Sequence, residues 1–406
     1  MTLELQATTP QGKRLVALAE SLAAEIEALA GVYDREGSYP FKSFDTLKQS
    51  GYFTAPIPEQ LGGLGATSVH DVLVASSRLA RGDASLAIGV NMHFVYLLNV
   101  VRRWQMAVGS GNERRAAALG DALEQIARDG VVFAAAGSEI GQDLTRPGTT
   151  ARRTEGGWLV SGRKVFCTMS PAADVLYTAV TFTDDEGVER YGYAMIPRST
   201  PGVTVHDDWD ALGMRASGSH SVSFDDVQLP ASALRGGFPV GEVVPFIERN
   251  LTAGLFHASA TLGVAENAHD VALRKLAERN GNAGGRNGVL VAESTIELSA
   301  CRATLDRAAR LIDEHRGAYS TADGPDEELT ALFAEAQAAK AFISQVAPRV
   351  VDRALALSGG AGYLNGSPIA RAYRDVRAGA FMHPLGDNRA YEFLAQTALG
   401  RELSLH

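Results

Sequence analysis

The feature that most restricts the fold is a change of texture along the chain, where short β-rich runs lie between two helical stretches. From about residue 131 to 235, runs such as 158–161, 175–182 and 191–196 alternate with turns that contain glycine or proline. Runs of this length and spacing predict a small all-β unit. On both sides of it, apolar residues recur at helical spacing. The chain is therefore predicted to hold one β unit flanked by two helical units.

The helical stretches differ in the length of their predicted elements. Before the β unit, leucines and an isoleucine between positions 15 and 29 recur every three or four residues, which is typical of an amphipathic helix. After it, a proline-free stretch predicts a helix on the order of 50 Å long at 246–279. Two further long helices are predicted at 293–315 and 327–357. We place the domain boundaries at 1–130, 131–238 and 239–406.

Composition excludes several functional classes for this 406-residue chain. Its 38 Lys and Arg against 47 Asp and Glu give a formal charge of −9, which disfavours a nucleic-acid binder. Cys167 and Cys301 are the two cysteines, so we expect no disulfide scaffold. We expect the protein to work in a reducing compartment. The N-terminus lacks the pattern of a signal peptide, and 84–101 is interrupted by polar side chains, which predicts a buried helix rather than a membrane span. We expect a cytoplasmic protein with no membrane or metal partner.

Four motifs carry a family resemblance, and they follow one another in the same order as in that family. They are GRKVFCT at 162–168, DWDALGMRASGS at 208–219, GGAGY at 359–363 and YRD at 373–375. Together with the helical–β–helical layout, they resemble the acyl-CoA dehydrogenase superfamily of flavoproteins over nearly the whole chain. The resemblance implies an α+β fold with an N-terminal helical bundle, a small middle β-barrel or sandwich, and a C-terminal four-helix bundle.

The resemblance also implies a flavin site. In the family, the residues that match Ser138, Phe166 and Thr168 lie beside the flavin, and the threonine hydroxyl bonds near its N5 atom. Arg279 matches the arginine on the pyrophosphate, although the Thr-Phe-Gly that normally follows it is absent. The glycine loop contacts the dinucleotide of a neighbouring subunit in a homotetramer, through positions that match Gly359, Gly360 and Gly362. The expected cofactor is FAD, with FMN as the alternative.

The pattern breaks at the catalytic base. A dehydrogenase of this family needs a carboxylate to remove the α-proton of an acyl thioester. Counted from the YRD motif, the usual glutamate position falls on His383, and the alternative position on a central helix falls on Ala253. Glu248, Glu392 or a neutral His383 remain as candidate bases.

The oxygen-using branch of the superfamily offers another interpretation. Dibenzothiophene monooxygenase and related hydroxylases have a histidine at the position matching His383, followed by proline, and a histidine in a segment resembling Met92-His93-Phe94. There, reduced flavin reacts with oxygen and the histidines act as catalytic groups. We therefore predict His383 and His93 as catalytic residues.

Three functions stay open at this point. The favoured one is a flavin-dependent monooxygenase that acts on a small organic or carrier-bound substrate and receives reduced flavin from a reductase. The second is an acyl-thioester dehydrogenase that passes electrons to an electron-transfer flavoprotein. The third is a catalytically silent relative that keeps the fold.

Overall fold

A computed structural model describes residues 4–141, 143–278 and 284–405. Within those ranges the helices are α1 Pro10–Glu36, α2 Phe41–Gln49, α3 Val69–Gly82, α4 Ala84–Gly109, α5 Glu113–Asp129, α6 Val244–Asn250, α7 Ala253–Glu278, α8 Gly285–Ala318, α9 Asp326–Ser358, α10 Gly360–Tyr363, α11 Pro368–Asp375 and α12 Asp387–Ala398. The strands are β1 Phe133–Ala136, β2 Thr150–Thr154, β3 Gly157–Cys167, β4 Val175–Thr183, β5 Glu189–Pro197, β6 Val203–Val205, β7 His220–Pro230 and β8 Leu234–Pro239. The predicted α+β class and its helical–β–helical order are confirmed.

The helices begin and end where local chemistry allows it. Thr9 caps α1 by accepting a hydrogen bond from the amide of Gly12, and Gly37 ends that helix with a positive φ of 67°. Asp83 caps α4 in the same way. Helix α4 is long and apolar enough to cross a membrane, but 89% of its most apolar window is buried inside the protein. It is the buried helix that the polar interruptions predicted.

One helix prediction was wrong. The stretch 246–279 was expected to be continuous, yet α6 ends at Asn250 and α7 begins at Ala253. The Nδ2 group of Asn250 donates to the carbonyl of Phe246 one turn back, at 2.9 Å. Side-chain bonds of this kind compete with the backbone ladder of a helix. The Oδ1 atom of Asn250 takes no part in this bond and can accept a hydrogen bond from another segment.

The sheet has the strand order β6-β7-β3-β2-β4-β5-β8, and β1 lies parallel to β4 off that path. Strand β3 pairs antiparallel with β7, and the register shifts between Lys164 and Cys167. Within that bulge Phe166 has a φ of 56° and is 63% exposed. A bulge redirects side chains at the end of a strand. This one turns an aromatic ring away from the sheet core.

The helices before and after the sheet share one apolar core, and the sheet has a second core of its own. Helices α3 and α4 pack directly against α7. The bulged end of β3, the middle of α4, the start of α7 and the segment 376–385 border a common cavity. The candidate site therefore lies where the sheet meets both helical parts.

Candidate functional site

A cavity of about 430 Å³ lies at this junction. Its sheet wall holds Ser138, Phe166 and Thr168, and its opposite wall holds His383. These four residues were singled out from the family resemblance, and the fold brings them to one cavity. The size falls within the range of cofactor and small-ligand sites.

The sheet wall carries an aromatic ring next to a row of hydroxyl groups. The ring of Phe166 meets Trp209 edge to face, with centroids 6.1 Å apart. The Thr168 Oγ1 lies 2.9 Å from Ser219 Oγ, which lies 2.6 Å from Ser217 Oγ. An exposed ring beside hydroxyl donors suits a planar heteroaromatic group such as the ring system of a flavin. The residues present therefore fit the cofactor that the motifs implied.

Two hydrogen bonds join the YRD and LGM motifs. The Met214 amide donates to Asp375 Oδ1 at 2.6 Å, and the Arg374 guanidinium, which also pairs with Asp34, donates to the carbonyl of Leu212 at 3.4 Å. Burial raises the pKa of Asp375 to about 7. A Cβ atom on Gly213 would lie 2.3 Å from the Arg374 carbonyl, so only glycine fits there. The motifs hold segment 211–214 as one wall of the cavity.

His383 is held in one tautomer by its neighbours. The Asn250 amide uses its NH₂ group on Phe246, so its Oδ1 accepts from His383 Nε2 at 3.1 Å. The hydrogen therefore sits on Nε2, and Nδ1 keeps a lone pair. Burial, together with the nearby Lys340 ammonium, lowers the pKa of His383 to about 4. At neutral pH the cavity wall thus presents a neutral imidazole.

The loop that carries His383 is clamped by a buried lysine. Lys340 on α9 donates through Nζ to the carbonyls of Met382 and Leu385, one on each side of the His383–Pro384 pair. Burial lowers the pKa of Lys340 to about 8. The loop is therefore held by side chains distant in the chain, Lys340 on α9 and Asn250 at the end of α6, and the local sequence around His383 does not predict these contacts.

No carboxylate from the described residues lines this cavity or the two narrower ones that adjoin it. Ala253 lines one of these narrower cavities beside His383, so the alternative base position also lacks a carboxylate. Glu248 lies outside these linings, near Arg102 and Arg103, and Glu392 is exposed on α12. Neither of these carboxylates borders the cavity.

His93 lies in the protein core rather than on the cavity wall. Its Nδ1 accepts from the amide of Phe133 at 3.1 Å, and its Nε2 lies 2.9 Å from the carbonyl of Phe53. The side chain is fully buried, and desolvation lowers its pKa to about 4. Because both ring nitrogens are occupied by backbone groups, neither is available to a ligand. This arrangement supports a structural role for His93, and its catalytic role stays a prediction.

The other predicted cofactor residues are Arg279 and three glycines. Arg279 falls outside the described residues. Gly359, Gly360 and Gly362 form the α9–α10 junction and do not line the cavity. Gly359 has a φ of 61° and a ψ of −156°, which favours glycine. Their contact with a neighbouring subunit's cofactor stays a prediction.

Sequence reasoning missed three residues at the site. Asn250 and Lys340 hold His383, and His257 borders the main cavity. His257 stands four residues after Ala253, on the same face of α7, and this helical spacing was the available signal. Nothing in the local sequence pointed to the other two.

The narrower cavities continue from His383 toward a region rich in tyrosine and arginine. The second cavity, of about 40 Å³, shares Met92 and His383 with the first, and the third, of about 50 Å³, shares Arg249 with the second. The third is lined by polar aromatic and cationic side chains, among them Tyr96, Tyr177, Tyr193, Arg103, Arg235 and Arg249. The Arg249 guanidinium lies 3.3 Å from the centre of the Tyr193 ring. We call this set the Tyr–Arg channel.

Comparison with known families covers most of the chain. Models of the acyl-CoA dehydrogenase N-terminal, middle and C-terminal domains match residues 13–104, 132–227 and 255–384. L-evernosamine nitrososynthase from a Micromonospora species is 35% identical over 402 residues, which cover 97% of this chain and 91% of that protein.

Two solved structures extend the comparison. KijD3 bound to FMN and dTDP-3-amino-2,3,6-trideoxy-4-keto-3-methyl-D-glucose is 32% identical with a TM-score of 0.89, covering 98% of this chain and 96% of that chain. Dibenzothiophene monooxygenase TdsC from a Paenibacillus species is 22% identical with a TM-score of 0.80, covering 97% and 99%. The latter likeness concerns the fold alone.

Proposed function

Because the chain belongs to the acyl-CoA dehydrogenase family of flavin-dependent enzymes, we propose that it uses reduced flavin and oxygen to oxidise the amino group of a nucleotide-linked sugar. The observation that carries this proposal is the absence of a carboxylate among the described residues that line the cavity. An acyl-thioester dehydrogenase needs a base matched to an α-proton. Of the two positions where the resemblance places a base, one holds Ala253 and the other holds His383, a neutral histidine.

Oxidation of an amine makes a different demand on the site. The nitrogen must keep its lone pair, so it has to react as the free amine rather than as an ammonium ion. A carboxylate would favour the ammonium ion, whereas a nearby guanidinium charge disfavours it. Arg377 supplies such a charge on the wall of the main cavity, whereas the charge of Arg374 is paired with Asp34. The same replacement that removes dehydrogenase chemistry therefore suits amine oxidation.

The Tyr–Arg channel supports the nucleotide part of the proposal. Aromatic rings stack on a pyrimidine base, and guanidinium groups bind phosphate oxygens in pairs. Arg249 now stacks between Tyr177 and Tyr193. A diphosphate at the channel would draw this guanidinium toward its oxygens and free the rings for the base.

The overall reaction balances with one oxygen molecule per oxidation. An amine, oxygen and reduced flavin give a hydroxylamine, water and oxidised flavin; a second round gives the nitroso sugar and two waters. When bound, the reduced flavin supplies the two electrons of each round. A separate flavin reductase is proposed as their source.

The test supplies the protein with FMN that a flavin reductase keeps reduced, together with oxygen and the dTDP-linked amino sugar bound in the KijD3 structure. Mass spectrometry should detect the hydroxylamine and then the nitroso sugar. The matching sugar with a hydroxyl in place of the amine is the control and should stay unchanged. Unreacted amine, together with anaerobic bleaching of bound flavin by an acyl-CoA, would instead support a dehydrogenase.

A further inference from the structure

His257 is a buried histidine at the cavity whose ring nitrogens both lack a hydrogen-bond partner among the described residues. Its side chain is only 5% exposed, and it borders the main cavity from the first turns of α7. Buried polar groups in native proteins are nearly always hydrogen-bonded, and an unpaired one costs free energy. An unpaired imidazole that borders a ligand cavity therefore points to a partner that arrives with the ligand.

The position of His257 relates it to the missing base. It stands one helical turn after Ala253, so both side chains project from the same face of α7. Ala253 faces the cavity beside His383, and His257 faces the main cavity that His383 also lines. Two imidazoles thus occupy the part of the site where the family has a carboxylate.

The surroundings of His257 keep it neutral. Burial, the Lys340 ammonium on α9 and the neighbouring His383 hold the pKa of His257 well below its usual range. The other charged side chains on the cavity wall are Arg374, which pairs with Asp34, and Arg377. Both nitrogens are shielded from solvent in this structure. Because the last torsion of a histidine side chain is broad, the proposal requires a rotation of the ring that turns one nitrogen toward the cavity.

We propose that His257 is a catalytic residue that accepts a hydrogen bond, and then a proton, from the amino group of the substrate; this rests on the proposed function. As the nitrogen forms its bond to oxygen, the O–O bond breaks and the nitrogen sheds one N–H proton. That proton passes to the unprotonated ring nitrogen of His257. It leaves with the second oxygen atom as water, and the reduced flavin would supply the two electrons, the other proton of the water and the proton on the hydroxylamine oxygen.

The experiment compares three variants of the full-length protein loaded with FMN. His257→Phe removes the acceptor, and His257→Gln keeps a hydrogen-bonding group. His269→Phe is the matched control, because His269 lies on α7, is 1% exposed, has two unpartnered nitrogens and does not line the cavity. Each variant receives chemically reduced FMN, oxygen and the dTDP-linked amino sugar of the KijD3 complex. Oxidised sugar and hydrogen peroxide are measured side by side, and the melting temperature of each variant is recorded.

We expect His257→Phe to lower kcat for amine oxidation about 100-fold, the usual scale for a lost proton acceptor. Its KM should stay within about threefold of the wild-type value. Reduced flavin should still be consumed, but hydrogen peroxide should replace the oxidised sugar as the product. His257→Gln should recover part of the rate, and His269→Phe should keep the wild-type ratio of products.

The possible failures are distinguishable. If His257→Phe oxidises the amine at the wild-type rate, or if His269→Phe diverts the reaction to peroxide equally, the catalytic role is overturned. If the wild-type protein leaves the amino sugar unoxidised, the proposed function falls and the role of His257 falls with it. A flavin-free His257→Phe protein would show that the side chain supports the fold or the cofactor instead, which also overturns the proposal.

Discussion

Replacing Lys340 by methionine tests whether one buried ammonium group holds the loop that carries His383. The Lys340 side chain is buried on α9, and its Nζ donates to the carbonyls of Met382 and Leu385. Hydrogen bonds from charged groups contribute about 1.5–3 kcal/mol each, so losing both costs about 3–6 kcal/mol. Methionine fills a similar space without a charge.

An opposing contribution comes from the cost of burying the charge. Burial lowers the pKa of Lys340 from 10.5 to about 8. At about 1.36 kcal/mol per pKa unit, the charged form is destabilised by about 3 kcal/mol at neutral pH. The two effects largely offset each other, so Lys340→Met should lower the free energy of unfolding at pH 7 by no more than about 3 kcal/mol. The freed loop no longer holds His383 at the cavity, and kcat should fall at least about tenfold.

The pH dependence of stability isolates this side chain. Between about pH 8 and 10.5, unfolded chains keep the lysine proton that folded chains have released, so the wild-type free energy of unfolding rises with pH. Urea unfolding of both proteins at about pH 7, 9 and 10.5 gives the difference between them, in which other titrating groups cancel. That difference should grow by about 3 kcal/mol in favour of the wild type. A pH-independent difference, or wild-type kcat in Lys340→Met, would refute the reasoning.

Three further predictions concern the core, the cavity wall and the channel. His93→Phe leaves the Phe53 carbonyl and the Phe133 amide buried without a partner, at a cost of about 1–3 kcal/mol each. The melting temperature should therefore fall while the folded protein keeps its kcat. A lost kcat at an unchanged melting temperature would instead support a catalytic role for His93. Gly213→Ala places a Cβ atom 2.3 Å from the Arg374 carbonyl, which should lower the free energy of unfolding by about 1–3 kcal/mol. The shifted cavity wall should also weaken flavin retention, measured by the absorbance of the purified protein. Full retention with unchanged stability would contradict this prediction. Arg235→Ala should raise the KM for the nucleotide-linked sugar about tenfold at a similar kcat, because Arg235 lines the Tyr–Arg channel. Arg153→Ala, at an exposed arginine outside the channel, is the control. Equal KM values for the two variants would exclude the channel as the nucleotide-binding site.

The sequence alone determined the features that depend on local periodicity and on motifs. Short β-rich runs between turns predicted β4 and β5, and helical spacing predicted α8 and α9, because both patterns are local properties of the sequence. The motifs pointed to Phe166, Thr168 and His383, which lie in one cavity. The missing carboxylates were also visible from spacing within the motifs.

The tertiary structure decided the surroundings of each histidine. His93 and His383 both match histidines of the oxygen-using branch, yet backbone groups 40 residues away occupy both nitrogens of His93. His257 and His269 share one helix and the same unpaired nitrogens, and only the first borders the cavity. Hydrogen-bond partners and cavity walls come from segments distant in the chain. The local sequence does not indicate which of these segments will come into contact. The chemistry of an imidazole is set by its residue type, but its availability is set by packing.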